Sequence, residues 1–443
     1  YQGDHPIYKF DEYYRSFRPG LRVRGFIGYY YDRGKAFFQP WWFALHRYGG
    51  FTWFGAFAGI GSGGGGAWLN ILDYSGALTE DGRNLQESLA KSNLLNGLGK
   101  LFLDYQWVPN DVAIYYSRDS VLLAFIRGRE TLEGEIHADG PLHDLFYSRH
   151  DLYCLLETLL YQYDFLSQEQ ITDGKLKGRK TLFMPGVSAM SDKEIAAVKA
   201  FLANGGTVIA DFAPGEYDEV GMKRNAAPFA GEKNVIVLGK RFSTKDAEQR
   251  KEVFRLLNQA GSKPVMTVRE DLPGREAMHF ADGNMHVFAI ARSQVLSNDS
   301  AEQTFTFPVK GHVYDLRAGK YLGQTDTVKT AVLHGEASVW GVYPYTVKRM
   351  VIKAPESVPG GRDLNAVFEV VPGSGKPGKH VFHVDVVPPS GEARFFMKRN
   401  LTAENGKAEL AFRIAENDPA GIWTLKVTDV LSGVSAQHKF EKK

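Results

Sequence analysis

The sequence predicts a multidomain protein of mixed α/β and β class, which combines the end of a (β/α)8 barrel, a flavodoxin-like α/β domain and two β-sandwiches. Three observations lead to this prediction. A strand, helix, strand pattern lies near the start, buried strands alternate with helices farther on, and helical periodicity disappears beyond Lys263. The predicted domains are residues 1–107 (barrel end), 108–262 (flavodoxin-like), 263–347 (β-sandwich) and 348–443 (immunoglobulin-like β-sandwich).

Length and composition indicate an ordinary globular protein. The chain has 443 residues, which corresponds to about three domains by length alone. The chain has 53 lysine and arginine residues and 51 acidic residues. Its net charge of +2 does not indicate binding to nucleic acid. The apolar runs are too short to cross a bilayer. We therefore expect no nucleic acid and no membrane among the partners, whereas 13% aromatic residues with 47 glycines favour a carbohydrate-handling or β-rich protein.

The barrel prediction rests on one stretch near the start. Residues 21–30 are apolar and aromatic, as in a buried strand, and Pro40 occupies a position where helices often begin. Gly49 and Gly50 end the helical pattern before a second strand at residues 51–57. Two strands joined by a helix rather than a hairpin imply a parallel pair with a crossover connection.

A sugar site is the functional hypothesis for this stretch. In parallel barrels the chemistry gathers at the carboxyl ends of the strands. Aromatic rings beside a carboxylate and an arginine suit the apolar faces and hydroxyl rim of a pyranose, although such rings also fill large cores. The candidate residues are Asp32 for catalysis, with Tyr29, Tyr30, Arg33, Trp42 and Trp53 for substrate binding.

Only two or three strand–helix units are present, whereas a closed barrel needs eight. A helix is predicted at residues 85–103, and the glycine-rich residues 59–66 are predicted as a loop over the barrel mouth. The chain opens at Tyr1 without a methionine. The missing units therefore precede Tyr1 on a longer precursor, or come from a partner chain, or the stretch is a vestigial cap.

Metal and cofactor sites are not predicted. Cys154 is the only cysteine and lies in an apolar run, so we expect neither a disulfide nor a cysteine-based metal site. Three histidines could meet a carboxylate such as Asp139 or Asp144, but this pattern specifies ligand geometry weakly, and surface or capping histidines are favoured. The histidines are His137, His143 and His150.

The flavodoxin-like prediction rests on buried strands that alternate with helices. A helix is predicted at residues 150–165, and Ser191 with Glu194 forms the pattern of a capping box before a helix at 192–203. Ligands bind at the carboxyl ends of such strands, here near Asp211. Asp211 is interpreted as a turn residue, and no activated nucleophile is expected at Ser188 or Cys154.

Four segments resemble β-galactosidase-like glycoside hydrolases of family 42, in their carboxyl-terminal portion. They are RSF at 15–17, PWWFALHRYGGFTWFGAFAG at 40–59, DVAIYYSRDSV at 111–121 and KTLFMPGVSAMSDKEIAAVKAFLANGGTVIADF at 180–212. The resemblance implies a catalytic barrel followed by a trimerisation domain and a small sandwich. It also implies a nucleophilic glutamate near residues 29–32, where this chain has GYYYDRG; Asp32 substitutes for it, or the site is altered or lost.

Two hypotheses follow from these observations. In the first, the chain is the carboxyl-terminal part of a glycoside hydrolase that acts on a β-linked sugar such as a galactoside and forms an oligomer, with a trimer implied by the resemblance. In the second, it is a non-catalytic structural or carbohydrate-binding subunit. The carbohydrate is the expected ligand in both, and the predicted sandwiches favour an extracellular or periplasmic location over the cytoplasm.

Overall fold

The computed structural model describes most of the chain and divides it into two compact units. The described residues are 10–18, 25–27, 33–53, 72–73, 75–129, 140–269, 274–292, 302–333 and 335–443. The first unit consists mainly of residues 109–267, with residues 1–21 and 271–277, and the second of residues 22–108, 268–270 and 278–443.

The first elements include the predicted parallel pair. In chain order they are α1 (Phe10–Phe17), β1 (Gly25–Ile27), α2 (Arg33–Leu45), β2 (Phe51–Trp53), α3 (Glu80–Ser92), α4 (Gly99–Asp104) and β3 (Gln106–Trp107). Strands β1 and β2 pair in parallel, with Gly25 opposite Phe51 and Ile27 opposite Trp53, and α2 connects them. The predicted parallel pairing with a helical crossover is thus confirmed.

Two helix bounds in this region differ from the sequence-based expectation. Helix α2 begins at Arg33, so Pro40 lies inside it rather than at its start. The predicted helix at residues 85–103 is interrupted, because Asn93 and Gly97 have left-handed φ angles of 59° and 116°. A wide helical turn over Leu94–Leu98 separates α3 from α4 at this point.

The first unit is built around a parallel five-stranded sheet. Its elements are β4 (Val112–Tyr115), α5 (Arg118–Arg129), α6 (Pro141–Thr158), β5 (Tyr163–Leu166), α7 (Gln168–Thr172), β6 (Thr181–Met184), α8 (Asp192–Ala203), β7 (Thr207–Ala210), β8 (Val235–Val237) and α9 (Ala247–Gln259). The strand order is β5-β4-β6-β7-β8. Strand β5 lies on one side of β4, and the later strands β6, β7 and β8 follow one another on its other side. Buried side chains cover both faces of this sheet, as parallel strands require.

The capping box is confirmed, and one predicted helix is wrong in its second half. Ser191 Oγ accepts a hydrogen bond from the Glu194 amide at 3.3 Å, and the Glu194 carboxylate accepts one from the Ser191 amide at 2.7 Å. The predicted helix at 150–165 instead ends at Thr158, and residues 163–166 form β5. Leu160 has a φ of 59°, which reverses the chain direction without a glycine or proline to mark it.

The remaining strands form largely antiparallel sheets. Their bounds are β9 (Thr267–Val268), β10 (Arg275–Asp282), β11 (Met285–Arg292), β12 (Glu302–Asp315), β13 (Lys320–Ala331), β14 (Ala337–Tyr343), β15 (Val347–Lys353), β16 (Ser357–Val358), β17 (Arg362–Pro372), β18 (His380–Val387), β19 (Lys398–Ala403), β20 (Lys407–Ile414), β21 (Gly421–Asp429) and β22 (Ser435–Lys442). One sheet has the order β13-β12-β14-β11-β10-β3, a second has β15-β17-β20, and a third has β16-β22-β21-β18-β19. Strand β16 pairs with β22 in parallel.

The core of the second unit lies between these sheets. Strand β20 alternates strictly between exposed and buried residues, and β21 buries every second side chain, so each contributes one face to the core. Trp423 is fully buried there. Among the described residues, no helix combines the length and the apolar character that a membrane crossing requires.

Candidate functional site

The predicted sugar site falls mostly outside the described residues. Tyr29, Tyr30 and Asp32 lie there. Arg33 is the first residue of α2, and Trp53 is the last residue of β2, opposite Ile27 at the end of β1; the side chains of Arg33 and Trp53 also lie outside the description. Chain order therefore places Arg33 directly after the segment that follows β1, and Trp53 at the carboxyl end of the parallel pair.

Trp42 is the one predicted site residue with a described side chain, and it is buried. It is 6% exposed and packs with Phe43 and Tyr48, whose ring centroids lie 5.5 and 6.4 Å from its own. The His46 ring lies 4.4 Å away, and its Nδ1 is 2.7 Å from the Trp42 carbonyl oxygen. Trp42 thus belongs to an aromatic cluster on α2, and its role in substrate binding stays a prediction.

Asp211 follows β7 at the carboxyl edge of the parallel sheet and ties three segments together. One carboxylate oxygen accepts from Ser148 Oγ at 2.6 Å and from the Gly186 amide at 2.8 Å, and the other accepts from the Phe212 amide at 2.8 Å. Burial raises the pKa of Asp211, and these hydrogen bonds oppose the increase. With 1% exposure and its oxygens engaged, Asp211 acts as a structural residue, in line with its interpretation as a turn residue.

Cys154 and the histidines of α6 do not form a metal site in the described part of the chain. Cys154 is 6% exposed, and its sulfur lies 3.9 Å from His150 Nε2, one turn earlier on the helix. His150 Nδ1 faces Asp151 at 3.1 Å, whereas His143 faces Asp144 at 4.0 Å. Within the described residues no group of three or more potential ligands converges, and His137 and Asp139 lie outside them.

An exposed apolar surface in the first unit was not singled out from the sequence. We define the apolar surface as Leu122 and Ile126 of α5 with Val220 and Met222 of the loop after β7; their exposures are 51%, 55%, 79% and 67%. These two segments are neighbours, because a Cβ on Gly221 would lie 3.2 Å from the Leu123 side chain. The i, i+4 spacing of Leu122 and Ile126 was the sequence signal that could have revealed this surface.

The loop that carries half of the apolar surface is held in one conformation. Asp218 Oδ1 accepts hydrogen bonds from the amides of Val220 and Met222 at 3.1 and 2.8 Å. Arg127 of α5 donates to the Tyr217 hydroxyl at 2.7 Å, and its guanidinium lies 4.4 Å from the centre of that ring. The apolar side chains are thus presented on a fixed support, as in preformed interfaces.

Comparison with known proteins identifies the fold. No protein-family model matches the chain, and no curated protein matches it. Among solved structures it resembles Gan42B, a GH42 β-galactosidase from G. stearothermophilus, with 13% identity and TM-scores of 0.55 for one structure and 0.53 for a catalytic mutant. Each match covers 75% of this chain and 56% of that one. A GH42 exo-carrageenase from Bacteroides ovatus has 15% identity and a TM-score of 0.46, over 76% of this chain and 44% of that one.

The expected structural resemblance to GH42 glycoside hydrolases is therefore confirmed at the level of the fold. The shared architecture is multidomain α/β, with a parallel five-stranded sheet flanked by helices and several antiparallel sheets, and it matches the carboxyl-terminal region of the GH42 structures. The chain spans 56% of the length of Gan42B.

Proposed function

We propose that this chain is the carboxyl-terminal part of a glycoside hydrolase that acts on a β-linked sugar, with a galactoside as the first candidate. The observation that carries the proposal is the fold similarity to a GH42 β-galactosidase, at a TM-score of 0.55 over 75% of the chain. The parallel pairing of β1 with β2 supports it, since this arrangement is the one expected for two strands of a (β/α)8 barrel. In this proposal the parallel five-stranded sheet belongs to a flavodoxin-like domain.

In the proposed mechanism Asp32 is the nucleophile or stabilises the positive charge of the transition state. Retaining glycosidases use two carboxyl groups about 5 Å apart, one as nucleophile and one as acid and base. Asp32 would supply the first, and residues outside this chain would supply the second. Tyr29, Tyr30, Arg33 and Trp53 would contact the sugar, and the buried Trp42 would support the site from within α2.

The test is the substitution Asp32→Asn in the complete natural protein, assayed with aryl β-galactosides and other aryl β-glycosides. Loss of a nucleophilic carboxylate is expected to reduce kcat at least about 1,000-fold while the oligomer stays intact. Asp73→Asn is the matched control. Among the described residues, the Asp73 carboxylate accepts hydrogen bonds from Ser75 and Ala77 in its own turn, an interaction that asparagine also provides.

Two results would contradict the assignment. Unchanged turnover in Asp32→Asn would exclude Asp32 as a catalytic residue. A natural protein that binds sugars but cleaves none of these glycosides would favour the second hypothesis, a non-catalytic structural or carbohydrate-binding subunit.

We also infer that residues 108–262 mediate self-association, and that a trimer is the expected assembly. The apolar surface supports this inference, because exposed apolar patches on a fixed support mark interaction sites. The alternative occupant is a separate chain that completes the barrel.

Sedimentation velocity of the double variant Val220→Asp and Met222→Asp tests the self-association. Buried charges at the interface are expected to convert the oligomer to a monomer. Ile422→Asp is the control, since Ile422 is 55% exposed in the second unit. An unchanged mass for the double variant would exclude the apolar surface as the interface, and a second polypeptide in the purified complex would favour a partner chain.

An extracellular or periplasmic location is part of the proposal, because the predicted β-sandwiches favour export. Cell fractionation with an antibody against this chain tests it, and recovery in the cytoplasmic fraction alone would exclude it.

A further inference from the structure

The second unit contains a polar pocket of about 330 Å³, and none of its lining residues is among those predicted for the sugar site. One wall is the polar face of the sheet that contains β18, β19 and β21, and the other is formed by Asn93, Asn96 and the turn at residues 316–319. This volume lies at the small end of the range for ligand sites, about 300–1,000 Å³, and suits one small molecule.

Charged side chains line the floor of this pocket in a row across three strands. Asp385 of β18 pairs with Lys398 of β19 on one side and with Lys426 of β21 on the other. Residues directly opposite each other in antiparallel strands project from the same face. Two ammonium groups therefore flank the Asp385 carboxylate, and with Arg317 and Asp429 the pocket is lined by three basic residues and two acidic ones.

The carboxylate of Asp385 is only partly satisfied. Its Oδ1 is buried, and no donor among the described residues makes a well-aligned hydrogen bond to it. Lys398 Nζ lies 3.6 Å from this oxygen, and His383 Nε2 lies 3.4 Å from it without the alignment of a hydrogen bond. Its contact with the His383 side chain is the largest of the effects that lower the pKa of Asp385, and the charges of Lys398 and Lys426 add to it, so Asp385 is charged at neutral pH. An acceptor of this kind calls for a donor from a bound molecule or water.

His383 is held so that one ring nitrogen remains directed toward Asp385. Its Nδ1 lies 2.7 Å from Asn400 Oδ1, and the Asn400 amide nitrogen donates to the Leu95 carbonyl at 2.9 Å. This second bond orients the Asn400 oxygen toward the imidazole, so Nδ1–H is the donor. Nε2 is thereby left for the pocket, beside Asp385.

The opposite wall is also fixed. Asn93 donates from its amide nitrogen to the Arg317 carbonyl at 2.7 Å, and Asn96 donates to Asn93 Oδ1 at 3.3 Å. Gly97 holds this turn against the sheet, because a Cβ there would lie 2.4 Å from the Val430 side chain. The polar groups of both walls are therefore preorganised, which lowers the cost of binding.

We propose that this pocket binds a small polyhydroxylated anion, such as a sugar acid or a sugar phosphate. Lys398 and Lys426 bind the anionic group, since ammonium groups take carboxylates and phosphates alike. Asp385 Oδ1 accepts a ligand hydroxyl, and His383 Nε2 and the Asn96 side chain contact others. The lysines thus recognise the charge of the ligand, while Asp385 recognises its hydroxyl groups.

Isothermal titration calorimetry of the full chain tests the proposal with four probes: galacturonate, glucose 6-phosphate, galactose and inorganic phosphate. The first two are expected to bind at least about tenfold more tightly than galactose, which lacks the charge, and than inorganic phosphate, which lacks the carbon-bound hydroxyls. A preference between the first two tells whether the natural ligand is a carboxylate or a phosphate. Equal binding of galactose and galacturonate, or no heat from any probe at 10-fold excess over about 1 mM protein, would overturn the proposal.

The variant Lys398→Gln with Lys426→Gln should weaken the binding of both hydroxylated anions by about tenfold or more. Both lysines are partly exposed, so the fold is expected to survive, which near-UV circular dichroism checks. Lys439→Gln is the matched control, because Lys439 is exposed on β22 of the same sheet and does not line the pocket. Equal affinity in the double variant and the control would contradict the assigned role of the lysines.

Asp385→Asn separates recognition of charge from recognition of hydroxyl groups. Removal of the negative charge should strengthen the binding of inorganic phosphate about threefold or more and reduce the advantage of glucose 6-phosphate over it. An unchanged ratio of the two affinities would exclude Asp385 as the hydroxyl acceptor.

Discussion

His380 Nδ1 lies 2.8 Å from Asp429 Oδ1, and both side chains are completely buried. Further hydrogen bonds extend from both His380 and Asp429. The Tyr345 hydroxyl lies 2.8 Å from His380 Nε2 and accepts from the Gly378 amide at 2.7 Å, while Ser432 Oγ donates to Asp429 Oδ2 at 2.5 Å. Burial raises the pKa of Tyr345 to about 12, which keeps its proton available for His380. Because the His380 and Asp429 side chains are both completely buried, we interpret the network as one that stabilises the sheet.

The first prediction is that Asp429→Asn destabilises the second unit. The substitution removes the negative charge of Asp429. It can also place the amide N–H group of asparagine against His380 Nδ1–H, so that two donors face each other. We expect the free energy of unfolding to fall by about 2–4 kcal/mol, as for other broken buried networks. Urea unfolding, followed by intrinsic tryptophan fluorescence, measures this change, because all seven tryptophans belong to the second unit.

Asp363→Asn is the control for this prediction. Asp363 pairs with Arg413 at 2.7 Å in the same unit, but their side chains are 40% and 65% exposed, so the expected change is below about 1 kcal/mol. Similar effects of the two substitutions would show that the buried network adds nothing beyond a surface ion pair.

A second prediction concerns the RSF segment, which contributed to the sequence resemblance. Asp164 of β5 lies 2.6 Å from Arg15 of α1 and 2.7 Å from Arg179, with all three side chains at least 84% buried. Ser16 Oγ accepts from the Phe165 amide at 2.9 Å. The segment thus anchors α1 to the edge strand of the parallel sheet.

Asp164→Ala should release α1 from this edge and leave two arginines without their shared carboxylate. The expected loss is about 3 kcal/mol in the free energy of unfolding of the first unit, together with faster amide exchange in α1. Hydrogen exchange with mass spectrometry measures both. In Asp144→Ala the lost partner is Arg241 in an exposed pair, so exchange in α1 should not change. Equal protection of α1 in both variants would argue against the anchor.

Short sequence patterns correctly predicted where some elements begin. Ser191 and Glu194 predicted the start of α8, because both partners of a capping box lie within one turn. The end of α6 could not be predicted in this way, since residues 159–166 are as apolar as the helix itself, and their strand conformation depends on pairing with β4. The break at Gly97 had a visible signal in the glycine, which the regular leucine spacing outweighed.

The polar pocket illustrates what sequence analysis could not provide. Lys398 and Lys426 lie 13 and 41 positions after Asp385 in the chain. Only the register of three antiparallel strands brings these residues into one row. A shift of one residue in either pairing would move a lysine to the opposite face. Sites of this kind depend on strand pairing, whereas most of the predicted sugar site was read from residues 29–33, which are neighbours in the chain.

The last prediction concerns acid stability. His279 Nε2 lies 3.1 Å from His286 Nδ1, and the His279 ring stacks on Phe288 at 4.3 Å. Burial, with a smaller contribution from His286, lowers the pKa of His279 to about 3, and burial also lowers the pKa of His286. In the unfolded chain the pKa of a histidine is about 6.5. Below this pH the histidines bind protons in the unfolded state but stay neutral in the folded state.

The contribution of His279 to the free energy of unfolding is therefore fully present above about pH 6.5. It is lost as the pH decreases from about 6.5 toward about 3. At pH 5 His279 alone is expected to reduce the free energy of unfolding by about 2 kcal/mol relative to pH 7.5. Urea unfolding of the second unit at several pH values, for the wild type and for His279→Gln, isolates this contribution from those of other groups. The variant is less stable at pH 7.5 but loses less stability on acidification, because glutamine takes up no proton. Parallel pH profiles for the two proteins would mean that His279 is already protonated in the folded state or remains accessible to solvent, and the burial argument would be wrong.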